Sequence, residues 1–380
     1  MKAILNGRIL MPDAIIEGHA LLFDTAIRAL LPPADIPAAT EIIDAANLYV
    51  APGLVDIHIH GYLGEDASDG SPDGIRKIAA GILQNGVTSW CPTTMTVSKD
   101  TLCQVFTMMR TLREESCRAG YKGAEILGVH AEGPFINPNR KGAQKEDHIL
   151  PPDAGFIRDF ADILRVITLA PEIEGCMAFI EEIARETNIL LSMGHTDASF
   201  ETAMHAVGRG IGHVTHTFNA MTPLNHRAPG VVGAALAAPV TAELIADMFH
   251  VHPGLFPLAA KAKGDKLVLI TDCTRAGGLA DGKYDLGGQN IFVKGIECRL
   301  ADGTIAGSVL KLNDAVANMA ANAGLPLFEA VNMASRNPAR AIGETRKGTL
   351  EAGKDADIIL CDDTFAVRRT IVRGATAFSA

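Results

Sequence analysis

The sequence predicts an α/β chain: a (β/α)₈ TIM-type barrel carrying a small β-sandwich built from its two ends. Three observations carry this reading. From about Val55 onward, short β-branched runs alternate with longer amphipathic segments, the pattern of repeated βα units over a parallel sheet. About eight such runs can be counted, the number that closes a barrel. Both flanks read as short strands and turns without a long helix, so the two ends are expected to join in one small β domain. The expected division is 1–52 with 347–380 for the β domain and 53–346 for the barrel.

The eight candidate strands are Val55–Ile59, Val87–Cys91, Ile126–Ala131, Val166–Leu169, Ile189–Met193, Gly212–Thr215, Leu244–Phe249 and Leu267–Ile270. Helical spacing of apolar residues fills most of the gaps. Ile75–Gln84 follows Ser71-Pro72, a cap with a first-turn proline, and stops at Gly86. Thr101–Arg118 and Cys176–Thr187 repeat the pattern, Phe200–Val207 stops at Gly208, and Leu255–Lys263 stops at Gly264. Tyr284–Thr304, with Gly287-Gly288 and Asp302-Gly303, reads as a hairpin inserted after the last barrel strand. In the flanks, ILNGRIL, HALLFD and NLYVAPG at one end and DADIILCDD and RRTIVRG at the other supply the expected strands.

Bulk composition narrows the function classes. With 48% hydrophobic residues in 380, a large core can be buried. Lys plus Arg is 34 against 44 for Asp plus Glu, a net charge of −10, and no basic run appears, which weighs against nucleic acid as a partner. No apolar stretch approaches the ~20 residues of a membrane span, and no membrane role is expected. The seven cysteines are scattered, odd in number and without a C-x-x-C pair, which weighs against a disulfide framework or Cys-rich zinc site. The amino terminus lacks an apolar signal region, so a cytoplasmic protein is expected.

The chemistry is concentrated where strands end. In Asp56-Ile57-His58-Ile59-His60-Gly61, alternate residues of a strand share a face, so His58 and His60 point the same way and can grip one divalent metal. Glu132 follows the third strand, His195 the fifth, His216 the sixth and Asp272 the eighth. Active sites of these barrels lie at the carboxyl ends of the strands. Histidine nitrogen with carboxylate oxygen is the donor set of a catalytic zinc-type centre with an open position for water. Such a centre hydrolyses amides, esters or cyclic amides, and it needs a group to move the water's proton to the leaving atom. Asp272 is the candidate. His213 points opposite to His216 and reads as a core residue, His130 as support for Glu132, His252 as exposed or structural, and Cys273 as a packed thiol.

The blocks PGLVDIHIHG, HAEGPF, GHTDA, THTFNAM and LITDC, in this order and spacing, together with the tail GTLEAGKDADII, resemble the N-acetylglucosamine-6-phosphate deacetylase family of the amidohydrolase superfamily. The resemblance runs along nearly the whole chain. It implies hydrolysis of the acetamide of N-acetylglucosamine 6-phosphate to glucosamine 6-phosphate and acetate, with Glu132, His195 and His216 holding the principal metal and Asp272 as acid/base. Some relatives lack the two histidines of the first strand. His58 and His60 are both present here, so one or two divalent metals per subunit are expected, zinc first, with iron, manganese or cobalt also suited.

The resemblance also implies substrate contacts. Asn219 and Ala220 match a sugar-contacting segment and His250 a substrate-binding histidine. Ala143 with Gly142, and Ile305, Ala306 and Gly307, match loops that close over the sugar. His226 and Arg227 match a phosphate-binding block, and a guanidinium suits phosphate because it donates two parallel bonds. Relatives donate this arginine from the neighbouring subunit, which implies a homodimer with Arg227 reaching the other active site. Three alternatives stand beside this reading: the N-acetylgalactosamine 6-phosphate epimer as substrate, a cyclic amidase of the same superfamily, and a barrel that serves only as a scaffold. The cyclic amidases usually carry a carboxylated lysine after the fourth strand, where this chain has Leu169-Ala170-Pro171-Glu172.

Overall fold

Local sequence rules set the first helix. Ser71 Oγ accepts the N–H of Gly74 at 3.1 Å, Pro72 fills the first turn, and a helix runs Pro72–Gly81 before a short 3₁₀ segment, Ile82–Asn85. The same logic repeats where Ser98 caps Lys99–Ser116 and Ser199 caps Phe200–Arg209. These helices alternate with strands in the computed structural model, which describes all residues, 1–380.

Eight parallel strands form the barrel: β1 Leu54–Ile59, β2 Val87–Thr94, β3 Val129–Glu132, β4 Leu164–Leu169, β5 Leu190–Met193, β6 His213–Val214, β7 Thr241–Ile245 and β8 Leu267–Ile270. Each pairs with its successor. Between β8 and β1 the seam is closed just beyond the strand end. There Asp272 N–H donates to His58 O, and His60 and Gly61 N–H donate to Cys273 O, all at 2.9 Å. His58, His60 and Asp272, three residues of the site itself, thus take part in the bonds that shut the barrel. A core of 80 buried residues fills the barrel and its helical coat.

Some elements differ from the sequence expectation. β7 ends at Ile245, four residues earlier than expected, so His250 stands on a loop instead of at a strand end. The inserted segment is a three-stranded antiparallel sheet, Gly282–Leu286, Gln289–Lys294 and Glu297–Leu300, with its own apolar cluster against Met95 and Ala143. Five helices had no sequence forecast: Gly230–Ala237, Ala154–Asp159, Leu312–Ala323, Leu327–Ala334 and Arg336–Ala341. The first of these is almost wholly apolar and buried, so it lacks the amphipathic spacing that marks a surface helix.

The two chain ends interleave in a six-stranded sheet ordered Ala375–Ser379, Val367–Val372, Ile358–Cys361, Tyr49–Pro52, Arg8–Leu10, Ile15–Ile16. A four-stranded sheet from the amino-terminal segment packs on it through a separate cluster that includes Ile4, Phe23, Val50, Ile358 and Ile371. Alternating strand residues from both sheets make this sandwich core. Lys347 ties it to the barrel. Its buried ammonium meets Glu125 at 2.8 Å, Asp355 at 2.8 Å and Asp357 at 2.9 Å.

Candidate active site

At the carboxyl-terminal mouth of the barrel, side chains from β1, β3 and the turns after β5, β6 and β8 converge. His195, His216 and Asp272 are the residues that leave those strands, and each has a left-handed backbone, with φ of 46°, 29° and 50°. Phe218 and Ala220 are left-handed too. Non-glycine residues avoid this region at a cost of about 1–2 kcal/mol each, so the surrounding structure holds them there. The turn redirects each side chain from the strand face toward the centre of the mouth.

Glu132 is the hub. Its Oε1 lies 3.1 Å from His195 Nε2, 3.1 Å from His216 Nε2 and 3.4 Å from His58 Nε2, and its Oε2 lies 3.3 Å from His60 Nε2. Asp272 Oδ1 is 3.2 Å from His60 Nε2 and 3.6 Å from His58 Nε2. Two donor sets result, Glu132–His195–His216 and His58–His60–Asp272, with Glu132 between them. All six residues are buried.

Ring orientation tests whether a metal fits. His195 Nδ1 lies 2.9 Å from Arg140 O, His60 Nδ1 3.1 Å from Thr93 O, and His58 Nδ1 2.9 Å from Glu243 Oε2. These acceptors hold the proton on Nδ1 and leave the Nε2 lone pairs aimed inward. His58 Nε2 is buried without a hydrogen-bond partner. The Nε2 atoms of His195 and His216 are 3.1 Å apart, close to the ~3.3 Å between donors held tetrahedrally about 2.0–2.1 Å from one ion. The two carboxylates among these imidazoles also match the charge of a divalent cation. The residues fit the group.

Buried charges at the site are matched by their neighbours. Burial opposes the charge of Glu132, but His195, His216 and His58 outweigh it and hold the carboxyl well below its ordinary range. Burial and the adjacent His58 push His130 down to about 3, so that ring is neutral. Both nitrogens of His130 are engaged by other groups of the protein. The ring bonds Ile57 O and Thr168 Oγ1 and packs 4.5 Å from the His58 ring. His213, satisfied by Thr241 and Glu243, is a core residue, and Cys273 is a buried free thiol.

Above the cluster lies a cleft of about 410 Å³. Gly142, Ala143, Asn219, Ala220, His250, Ile305 and Gly307 line it together with His60, Glu132, His195, His216 and Asp272. Ala306 does not. It is fully buried behind the mouth in the apolar cluster of the inserted sheet, because alternation along the loop turns it away from its two neighbours. His226 and Arg227 also stand outside the cleft of this chain. They occupy the exposed tip of a tight turn closed by Asn225 and Ala228.

Three residues here had no sequence forecast. Gln144 donates its amide N–H to Glu132 Oε2 while its Oε1 accepts from Thr96 N–H at 2.7 Å, which orients the hub carboxylate. Asp247 accepts from His250 Nδ1–H at 2.6 Å and from the backbone N–H of Phe249 and His250. Glu243 is a charged residue in a buried strand. That oddity, visible in TAELIAD, was the available signal. Glu172, at the end of β4, serves neighbouring loops: it accepts from Asn137 Nδ2, Thr196 Oγ1 and Asp197 N–H.

A parallel barrel with histidines and carboxylates converging at its carboxyl-terminal mouth defines the class, a hydrolase of the amidohydrolase type. The amidohydrolase family profile matches residues 49–377, and a relative from Bacillus subtilis (strain 168), N-acetylglucosamine-6-phosphate deacetylase, is 40% identical over 351 residues, covering 90% of this chain and 88% of its own. The chain belongs to the amidohydrolase family and, within it, to the N-acetylglucosamine-6-phosphate deacetylases. The crystal structure of N-acetylglucosamine-6-phosphate deacetylase from Pasteurella multocida superposes with a TM-score of 0.94 at 30% identity, covering 100% of both chains. An N-acetylgalactosamine-6-phosphate deacetylase of Escherichia coli O157:H7 is 34% identical across 99% of this chain and 100% of its own. No helix is long and apolar enough to cross a membrane.

Proposed function

We propose that this protein hydrolyses the acetamide of N-acetylglucosamine 6-phosphate, releasing acetate and glucosamine 6-phosphate. The observation that carries the reading is the double donor set hinged on Glu132 at the floor of a cleft whose walls include Asn219, Ala220 and His250. Glu132, His195 and His216 would hold the principal metal, and His58 and His60 a second. When bound, a divalent ion supplies Lewis-acid polarisation of the acetamide carbonyl and acidifies the attacking water. Zinc suits these donors, as do iron, manganese and cobalt.

The chain's own groups do the rest. Asp272 takes a proton from the attacking water and delivers it to the leaving nitrogen, the step that lets a poor amine leaving group depart. His250, whose Nδ1–H is spent on Asp247, turns its Nε2 toward a sugar hydroxyl, from which it accepts. Asn219 and Ala220 orient the sugar, and the loops at Ala143 and Ile305–Gly307, Ala306 acting through its backbone, close over it. His226 and Arg227 reach the phosphate of a partner subunit's substrate. Their exposed position supports a homodimer in which each chain completes its neighbour's site. The seven free thiols support a cytoplasmic location.

The test is acetate release from purified protein, with N-acetylglucosamine 6-phosphate and the unphosphorylated sugar compared. Equal kcat/KM on the two would remove phosphate recognition from the reading. A second reading, the galacto epimer, is favoured by the full-length match to the Escherichia coli enzyme. Parallel kinetics on both sugar phosphates discriminates them, and a tenfold preference for the galacto substrate would displace the first reading.

A further inference from the structure

Glu243 is the one charged residue inside β7, and it faces none of the substrate cleft. Its carboxylate is fully buried and accepts three hydrogen bonds. Oε2 takes His58 Nδ1–H at 2.9 Å and the backbone N–H of His216 at 2.9 Å, and Oε1 takes His213 Nε2–H at 3.0 Å. A buried charge is tolerated when it is fully hydrogen-bonded, and here every donor comes from β1, β6 or the turn after β6. His60 and His195 rest their Nδ1 atoms on backbone carbonyls, whereas His58 rests on a carboxylate.

We propose that Glu243 is the positioning residue of the metal centre. It keeps the His58 proton on Nδ1, turns the unpartnered Nε2 toward Glu132 and Asp272, and pins the left-handed backbone of His216. One carboxylate thus fixes a donor in each of the two sets. Neutral imidazole has a single N–H, so the acceptor beside Nδ1 decides which nitrogen is free to ligate. The proposal rests on the metal-hydrolase reading above, but it is tested on metal binding without substrate and so fails separately from it.

Glu243→Gln and Glu243→Ala differ in what they leave. In the Gln variant the amide oxygen accepts from His58 and His216. The amide N–H donates to His213, whose proton moves to Nδ1, where Thr241 Oγ1 lies 2.6 Å away. In the Ala variant three donors lose their acceptor. Chelated protein is titrated with Zn²⁺ by calorimetry, for the parent, both variants, His58→Asn and the double variant His58→Asn/Glu243→Ala. The expected loss of affinity is about 10–100-fold for the Ala variant and less than about tenfold for the Gln variant. In the His58→Asn background the Ala effect shrinks, because the part that runs through His58 is already lost and only the part through the His216 backbone remains.

Nitrogen-15 histidine spectra of the zinc-loaded proteins give a second readout. The parent and Gln variant keep the His58 Nδ1–H tautomer, and the Ala variant loses it. Parental zinc affinity in the Ala variant, an undiminished loss in the His58→Asn background, or an unchanged tautomer would overturn the proposal. If the Ala variant does not fold, the Gln variant decides. Retained His58 Nδ1–H with a shifted His213 tautomer supports the proposal, and a flipped His58 with parental zinc affinity refutes it.

Discussion

Replacing Lys347 with methionine should cost about 3–5 kcal/mol of stability, although the residue is far from the cleft in function. Its ammonium is almost fully buried among Glu125 from the barrel and Asp355 and Asp357 from the tail. Burial opposes the Lys347 charge, but Asp357, Glu125 and Asp355 outweigh it and hold its pKa above the ordinary range. Methionine matches the stem and removes the charge. Asp355 then keeps only Arg346 at 2.8 Å, Glu125 only the more distant Arg373 at 3.8 Å, and the buried Asp357 no paired cation. Breaking a buried ion pair in this way is strongly destabilising. With ~2.1 cal/mol/K of unfolding entropy per residue over 380 residues, the melting temperature should fall by about 4–6 °C at neutral pH. The loss should also depend on pH. Burial already raises the Asp357 carboxyl even beside Lys347. In the variant such a carboxyl titrates above its unfolded value of about 3.9, so in the pH window directly above that value the folded state binds more protons than the unfolded chain. Stability of the variant therefore falls as pH rises through that window, and the deficit relative to the parent narrows on acidification. Thermal and urea unfolding at pH 5 and pH 7.5 checks both parts. A variant within 1 kcal/mol of the parent at pH 7.5, or a deficit that does not change with pH, would refute the reasoning.

Asp272→Asn should lower kcat by about 10²–10⁴-fold, with a much smaller change in KM, because the group moves a proton in the transition state. Unchanged turnover would remove Asp272 from the mechanism. Asp247→Ala frees the His250 ring from its 2.6 Å bond and should lower kcat/KM by about tenfold while unfolding behaviour changes little. Parental kinetics would mean that His250 needs no such support. Arg227→Met should raise KM for the phosphorylated sugar by about 10–100-fold, the worth of a charge-assisted phosphate contact, and leave the unphosphorylated sugar unaffected. Mixing Arg227→Met with a cleft-dead Asp272→Asn protein should restore part of the activity if the arginine serves the neighbouring subunit. Absence of such complementation counts against a shared site.

How far the site was legible depends on the range of the interactions that build it. His58 and His60 could be read as a pair because strand alternation fixes their common face within three residues. Glu132, His195, His216 and Asp272 could be gathered because each follows a strand of a parallel barrel, whose strand ends share one mouth. The residues that support them were harder to find. Gln144 acts on Glu132 from the next loop, Asp247 acts on a histidine that a shorter β7 leaves on a loop, and Ala306 is turned away from the cleft by its two-residue alternation with Ile305 and Gly307.

By itself the sequence determined the donor types, their order along the chain and the barrel that collects them, since these follow from local periodicity and turn chemistry. Only the tertiary structure decided which nitrogen of each imidazole faces inward and which charge answers which. Glu243 and His58 are 185 residues apart and Lys347 and Glu125 are 222 apart. Such pairs are created by the register of barrel closure and by burial, which makes an unanswered charge costly, and no local stretch of the chain encodes either.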